Sequence, residues 1–193
     1  PDELPALARW AENAQIIAKR RVTGPLDSPL SVALDRTDPA AFAAALGGQF
    51  QRYGFASVKG HGIPQPLIDA ALADMKAFFA LPEPVKRRYH QEGGGGQRGL
   101  TPFGIETAKG FERPDLKEFW HTGRELPGGH KLARFMPPNV WPTEIPSFRQ
   151  TIYALFEAFD ALGLTLLRAI ARHLKLAPDF FDDPVRDGNS ILR

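Results

Sequence analysis

The sequence predicts an α+β fold that is mainly helical, and three observations carry that reading. Long stretches repeat apolar residues at helical spacing, the strand-like runs between them are short, and Gly- or Pro-rich breaks punctuate the junctions. At 193 residues, 43% hydrophobic and 24% charged, the chain is long enough to bury a sizeable core and falls in the ordinary globular range.

Residues 3–19 place Leu4, Leu7, Ala11, Ala14 and Ala18 at helical spacing, so an amphipathic arm helix is expected over residues 1–25. Thr23-Gly-Pro-Leu-Asp-Ser-Pro breaks it, and the apolar run Leu30–Leu34 predicts a short strand. Asp38-Pro39 supplies an N-cap and a first-turn proline. Phe42, Ala45, Leu46, Gln49, Phe50 and Tyr53 then describe one buried helix face, stopped by Gly54. Phe55–Lys59 reads as a strand, and His61-Gly-Ile-Pro64 as a turn.

From Gln65 to Leu81 a second amphipathic helix carries Leu67, Ile68, Ala71, Leu72, Met75, Phe78 and Phe79; Pro82 and Pro84 restart a shorter one through Tyr89. Gly93–Gly96 holds no shape without packing around it, and it is either a flap beside a pocket or a surface loop. It lacks the Gly-Lys-Ser/Thr that a phosphate-binding loop needs. Irregular chain is expected from Leu100 to Leu126, with one strand near Lys117–His121 in which Phe119 faces away from Trp120. The longest helix is predicted from Pro146 to about Leu176, burying Phe148, Ile152, Leu155, Phe156, Phe159, Leu162, Leu166, Ile170 and Leu174. A last turn at 179–183 and a strand beginning at Ser190 follow.

Charge and composition narrow the function classes. A formal net charge of +2 implies no strong steering toward nucleic acid. The clusters Lys19-Arg20-Arg21 and Lys86-Arg87-Arg88 end helical patterns, where they complement the helix dipole and solvate a surface. The absence of cysteine excludes disulfides, thiolate metal sites and cysteine nucleophiles, and it fits a reducing compartment. Pro1-Asp-Glu-Leu lacks the basic start of a signal peptide, and no apolar run reaches membrane-spanning length. A soluble cytoplasmic protein with a small-molecule partner is expected, with neither nucleic acid nor membrane as a partner.

Two charged residues stand out around Gly99-Leu-Thr-Pro-Phe-Gly104. Turn residues at both ends let Arg98 and Glu106 project into one cleft, where the arginine suits a carboxylate and the glutamate an amine or guanidinium. Surface ion pairing is the alternative. Asp115, Lys117, Glu118 and Arg124 are expected to knit the loop to the strand. Among the five histidines only His90-Gln91-Glu92 has His-x-acid spacing, and four glycines beside it are a poor platform for metal ligands. His61 is expected to fix a turn, His121 to be a half-buried structural residue, His130 to be exposed, and His173 to sit at a helix end.

Arg52-Tyr-Gly-Phe55, His61-Gly-Ile-Pro64, Ala77-Phe-Phe-Ala-Leu-Pro82, Thr101-Pro-Phe-Gly104 with Glu106-Thr-Ala-Lys109, Asp115-Leu-Lys-Glu-Phe-Trp-His121 and Asp187-Gly-Asn-Ser190 occur in a fixed order. On these motifs residues 30–193 resemble the N-terminal part of the isopenicillin-N-synthase-like oxygenases. The resemblance implies the mainly helical N-terminal portion of a double-stranded β-helix, or jelly roll. It implies Fe(II), 2-oxoglutarate and O₂, and decarboxylation of the keto acid to succinate coupled to oxidation of a substrate. By similarity to the ethylene-forming branch, Glu106 would hold a basic substrate and Arg193 would lie beside 2-oxoglutarate; Arg98 and Thr101 would line the substrate pocket. The family's His-x-Asp pair, distal His and Arg-x-Ser are not found in these residues, so no catalytic or metal-ligating residue is assigned. A non-catalytic module that binds a ligand or partner is the rival reading.

Overall fold

A computed structural model describes residues 28–107, 110 and 112–193. The predicted arm helix and the Lys19-Arg20-Arg21 cluster lie outside the described residues. The chain divides into two compact units, residues 1–62 with 165–181, and residues 63–164 with 182–193.

In the first unit, strand β1 (Leu30–Ser31) pairs in parallel with β2 (Val58–Lys59), Leu30 opposite Val58. Helix α1 (Leu34–Thr37) occupies the end of the run expected to be a strand, and helix α2 (Pro39–Tyr53) follows at once. The Asp38 side chain caps α2 by accepting from the Ala41 amide at 3.0 Å, and Gly54 ends it in the left-handed region at φ 81°. Phe42, Ala43 and Leu46 pack with Ala169 near the end of α5 (Phe148–His173), with Val32, Val58 and Ile170 around them. Gln49 is buried because it splices the unit together: its oxygen accepts from the Ser57 amide at 3.1 Å and its nitrogen reaches the Ser28 carbonyl at 3.4 Å. His173 is more than a helix-end residue. Its ring fills the space that a side chain on Gly47 would need, and its Nε2 lies 3.3 Å from Gln51 Nε2.

In the second unit, α3 (Gln65–Phe79) and α4 (Glu83–Arg87) precede a three-stranded antiparallel sheet in the order β3–β4–β5, from Gly99–Thr101, Phe119–Gly123 and Ile191–Leu192. A short helix α6 (Asp182–Arg186) comes just before β5. Phe78 anchors the core: its ring lies 4.7 Å from Trp120, 5.8 Å from Phe148 and 5.9 Å from Tyr89. Leu100, Ala71 and Ile152 complete the buried cluster.

Several expectations are corrected here. β3 was expected to be irregular chain; it is three residues long and enters through Gly99 at φ 72°, too short and too bent to show a two-residue period. Within the Phe55–Lys59 run only Val58–Lys59 is strand. Phe159 and Leu174, placed on the buried stripe of α5, are 44% and 52% exposed. Lys86 does not solvate a surface. It is buried, donating to Glu118 at 2.6 Å with Glu83 at 3.4 Å. Burial alone would lower its pKa, but the bonds and charges of Glu118 and Glu83 outweigh burial and raise it. His130 is half-buried, 3.5 Å from Asp187.

Candidate functional site

Period-two alternation sorts the β3–β4–β5 sheet into two faces. Leu100, Trp120, Thr122 and Leu192 share the core side, and the ladder pairs Leu100 with Trp120 and Thr122 with Leu192. The other side carries Thr101 opposite Phe119, His121 opposite Gly99, and Gly123 opposite Ile191. The residues singled out from the sequence converge on this second face.

Arg98 enters β3 and turns its guanidinium onto Gly123, whose missing side chain makes the room; a Cβ there would collide with it. The arginine is 1% exposed. One η nitrogen donates to the Gln97 carbonyl at 2.7 Å and the other to Asn189 Oδ1 at 3.1 Å, while Nε has no partner. Burial lowers its pKa. Thr101, 2% exposed, has a buried hydroxyl that is also without a partner.

Glu106 and Arg193, 87 residues apart, do meet. One Glu106 oxygen accepts from Arg193 at 3.1 Å and is paired with Lys117 at 2.9 Å; Lys117 also pairs with Asp115 at 2.9 Å. The bond from Lys117 chiefly, then Arg193, holds the Glu106 carboxyl below its ordinary range, and Asp115 and Glu106 hold Lys117 up. Arg193 stacks over the Phe119 ring with 3.8 Å to the centroid. Glu106 is therefore already engaged by two cations, and its partners do not include Arg98 or Thr101. Of the residues expected to knit the loop to the strand, Lys117 and Asp115 pair within the loop around Glu106, whereas Glu118 reaches Lys86 in α4 and Arg124 reaches Asp160 in α5 at 2.8 Å.

Sequence reasoning undervalued His121. It lies between these charges, and its Nδ1 donates to the Gly96 carbonyl, which fixes the neutral tautomer and ties the glycine segment to the sheet. Gly96 sits beside the Thr101 hydroxyl, so a side chain there would crowd it. Burial, chiefly, lowers the pKa of His121, with Arg193 and Arg98 acting in the same direction and Gly96 and Glu106 opposing. Asn189 and Gly123 were missed as well. The signal that could have found the glycine was the strand period of Phe119–Gly123 ending on it. A separate cavity of about 380 Å³, walled by Lys131, Phe135, Asp183 and Asp187, shares only Asn189 with this face.

Residues 28–144 match the family described as non-haem dioxygenase in morphine synthesis, N-terminal. The chain belongs to this family. Among solved structures, a protein assigned to the 2OG-Fe(II) oxygenase family from Caulobacter crescentus is 48% identical and superposes with a TM-score of 0.79 over 88% of this chain and 55% of that one. A full-length Neurospora crassa protein, solved in complex with alpha-KG, is 27% identical with a TM-score of 0.72, covering 89% of this chain and 54% of that one. A proline hydroxylase of Petromyces alliaceus is 35% identical over 160 residues, 79% of this chain and 48% of the relative. The chain thus spans about half the length of the relatives it matches. The fold class expected from the sequence, the mainly helical N-terminal portion of a jelly-roll oxygenase, is the one these dioxygenases share.

A dioxygenase iron needs two imidazoles and a carboxylate on one face. Among the described residues no three His, Asp or Glu side chains could hold a metal ion. In the one His-x-acid pair, His90 Nδ1 donates to the Leu100 carbonyl at 3.0 Å, and no third ligand joins the pair among the described residues. These residues alone do not fit the iron. What they do hold is two buried, unpartnered polar groups on a sheet face, flanked by a carboxylate with two cations.

Proposed function

We propose that this chain is the N-terminal part of an Fe(II)- and 2-oxoglutarate-dependent dioxygenase, which uses O₂ to oxidise a small molecule while converting 2-oxoglutarate to succinate. The observation that carries the reading is the family match over residues 28–144, which includes Arg98, Thr101, Glu106 and β4. In this reading residues 30–193 form the N-terminal region of the enzyme, residues 1–25 are an added arm, and the iron ligands come from chain outside both. Support for the co-substrate comes from the Neurospora relative, whose structure holds alpha-KG.

The polar sheet face is the wall this region contributes. Arg98 and Thr101 line the substrate, and Arg193 stands beside 2-oxoglutarate, its guanidinium oriented by Glu106 and the Phe119 ring. Glu106 acts first by holding that arginine, because its charge is already matched. No helix among the described residues is long and apolar enough to cross a membrane. The cytoplasm is the proposed compartment, on the cysteine-free composition.

The test uses the full protein. Fe(II) with 2-oxoglutarate should raise its melting temperature and yield succinate in step with keto-acid loss. If neither happens, the dioxygenase reading fails and a non-catalytic binding module replaces it.

A further inference from the structure

The cavity of about 380 Å³ takes no part in the substrate wall, and its size falls within the roughly 300–1,000 Å³ of small-molecule sites. Its lining comes from two segments, residues 131–136 and 183–189. Arg124 fixes the second of them, because its guanidinium donates to the Gly188 carbonyl at 3.0 Å and is anchored on Asp160 at 2.8 Å. The fold itself holds that wall in place.

Two opposite charges line this space without pairing with each other. Lys131 has no hydrogen-bond or ion-pair partner among the described residues. Asp187 has His130, whose Nδ1 accepts from the Leu132 amide at 3.3 Å, so the proton of the neutral ring sits on Nε2, 3.5 Å from the carboxylate. A neutral N–H that far away leaves the charge of Asp187 unbalanced. Asp183, by contrast, is paired with Arg186 at 2.7 Å. The remaining lining is mostly apolar: Met136 is buried, and Phe135 is 60% exposed beside Leu132. Water solvates a lone lysine or aspartate well enough, so neither charge by itself calls for a ligand. Opposite charges kept apart around one partly apolar space do, because a molecule carrying both signs answers the two at once.

We infer that this cavity binds a free α-amino acid with an apolar side chain: Asp187 takes its ammonium, Lys131 its carboxylate, and Phe135 with Leu132 its side chain. This is a second site, distinct from the substrate wall. The two share Asn189, which bonds Arg98 at 3.1 Å and Gln97 at 3.0 Å on the side of the wall. Both ends of that amide are engaged there, so the two charges are what hold the ligand.

The full protein, saturated with Fe(II) and 2-oxoglutarate and kept free of O₂, is titrated calorimetrically with L-phenylalanine, with phenethylamine, which lacks the carboxylate, and with hydrocinnamate, which lacks the ammonium. L-Phenylalanine should bind about two- to fivefold more tightly than either, the range for ion pairs partly screened by water. Lys131→Met should abolish its advantage over the amine, and Asp187→Asn its advantage over the acid. Equal affinities for the three probes in the wild type, or no binding of L-phenylalanine, overturn the inference whether or not the variants fold. A preference for L-phenylalanine that survives both substitutions overturns it too, because the amino acid would then be held elsewhere, at the substrate wall for instance.

Discussion

Alternate residues of the same strands are finished differently. On the core side of the sheet, Trp120 lies among Phe78, Phe148 and Tyr89, and its indole N–H donates to the buried Thr122 hydroxyl at 3.0 Å. On the other side, Thr101 and Arg98 are as deeply buried, yet each keeps a polar atom idle. A fold that satisfies buried polar groups on one face is able to do so on the other. Idle donors beside Gly123, where a larger residue would have excluded the arginine, are what the proposed substrate wall would offer.

The largest expected effect breaks the comparison if the two faces are equivalent. Trp120→Ala should cost about 3–5 kcal/mol, because it empties the centre of a buried aromatic cluster. Phe119→Ala, one residue away on the other face, should cost clearly less in a denaturant titration and instead loosen Arg193. Equal losses would mean that alternation does not separate packing from binding here.

Next in size is the Lys86–Glu118 pair. Lys86→Met should destabilise by about 1–3 kcal/mol, because Glu118, which already has one buried oxygen without a partner, loses its cation. Adding Glu118→Leu should recover most of that loss. The pH dependence has a definite sign. The folded pKa is raised, so the pair's contribution is complete below the unfolded lysine value of about 10.4 and disappears as pH rises through the folded value. Melts toward alkaline pH should fall faster for the wild type than for the double variant.

Gly123→Ala sharpens the comparison at the binding face itself. Its new methyl group meets the Arg98 guanidinium, an overpacking cost of about 1–3 kcal/mol that should shrink when Arg98 is also replaced by Ala. A cost that does not depend on residue 98 would show that the backbone, and not the arginine, requires the glycine.

How much of this was legible depended on the distance over which the information acts. Helices α2, α3 and α5 were readable because Asp38, Gly54 and the apolar stripes act within a turn or two. The burial of Lys86 was not, since its shorter contact, with Glu118, spans 32 residues, and Glu83 three residues before it reads as an ordinary surface pair. β3 was hidden by its brevity and by Gly99. Arg98 and Glu106 stood out in the sequence as charges near turns, but the sequence did not separate their situations: one cation is left without a counter-charge, and one carboxylate is already matched by Lys117 and Arg193. Only the ladder register reveals that division, because it places the Gly123 gap and the Phe119 ring on the same face.

The smallest expected effect is the pH response of His121. Its ring faces Arg98, Arg193 and Glu106 and donates through Nδ1 to Gly96. Burial pushes its pKa down, so the unfolded chain takes up a proton at higher pH than the folded one does. Its contribution is therefore complete above the unfolded value of about 6.5 and lost as pH falls through the folded value. For one proton the slope cannot exceed about 1.4 kcal/mol per pH unit, and a half-buried, partly screened site should give less. His121→Gln keeps an N–H for the Gly96 carbonyl but removes the titration, so its stability between about pH 5 and 7 should be flatter than that of the wild type. Parallel curves would mean that the ring stays reachable by water when folded, and the glycine segment would then be no cover for the face beneath it.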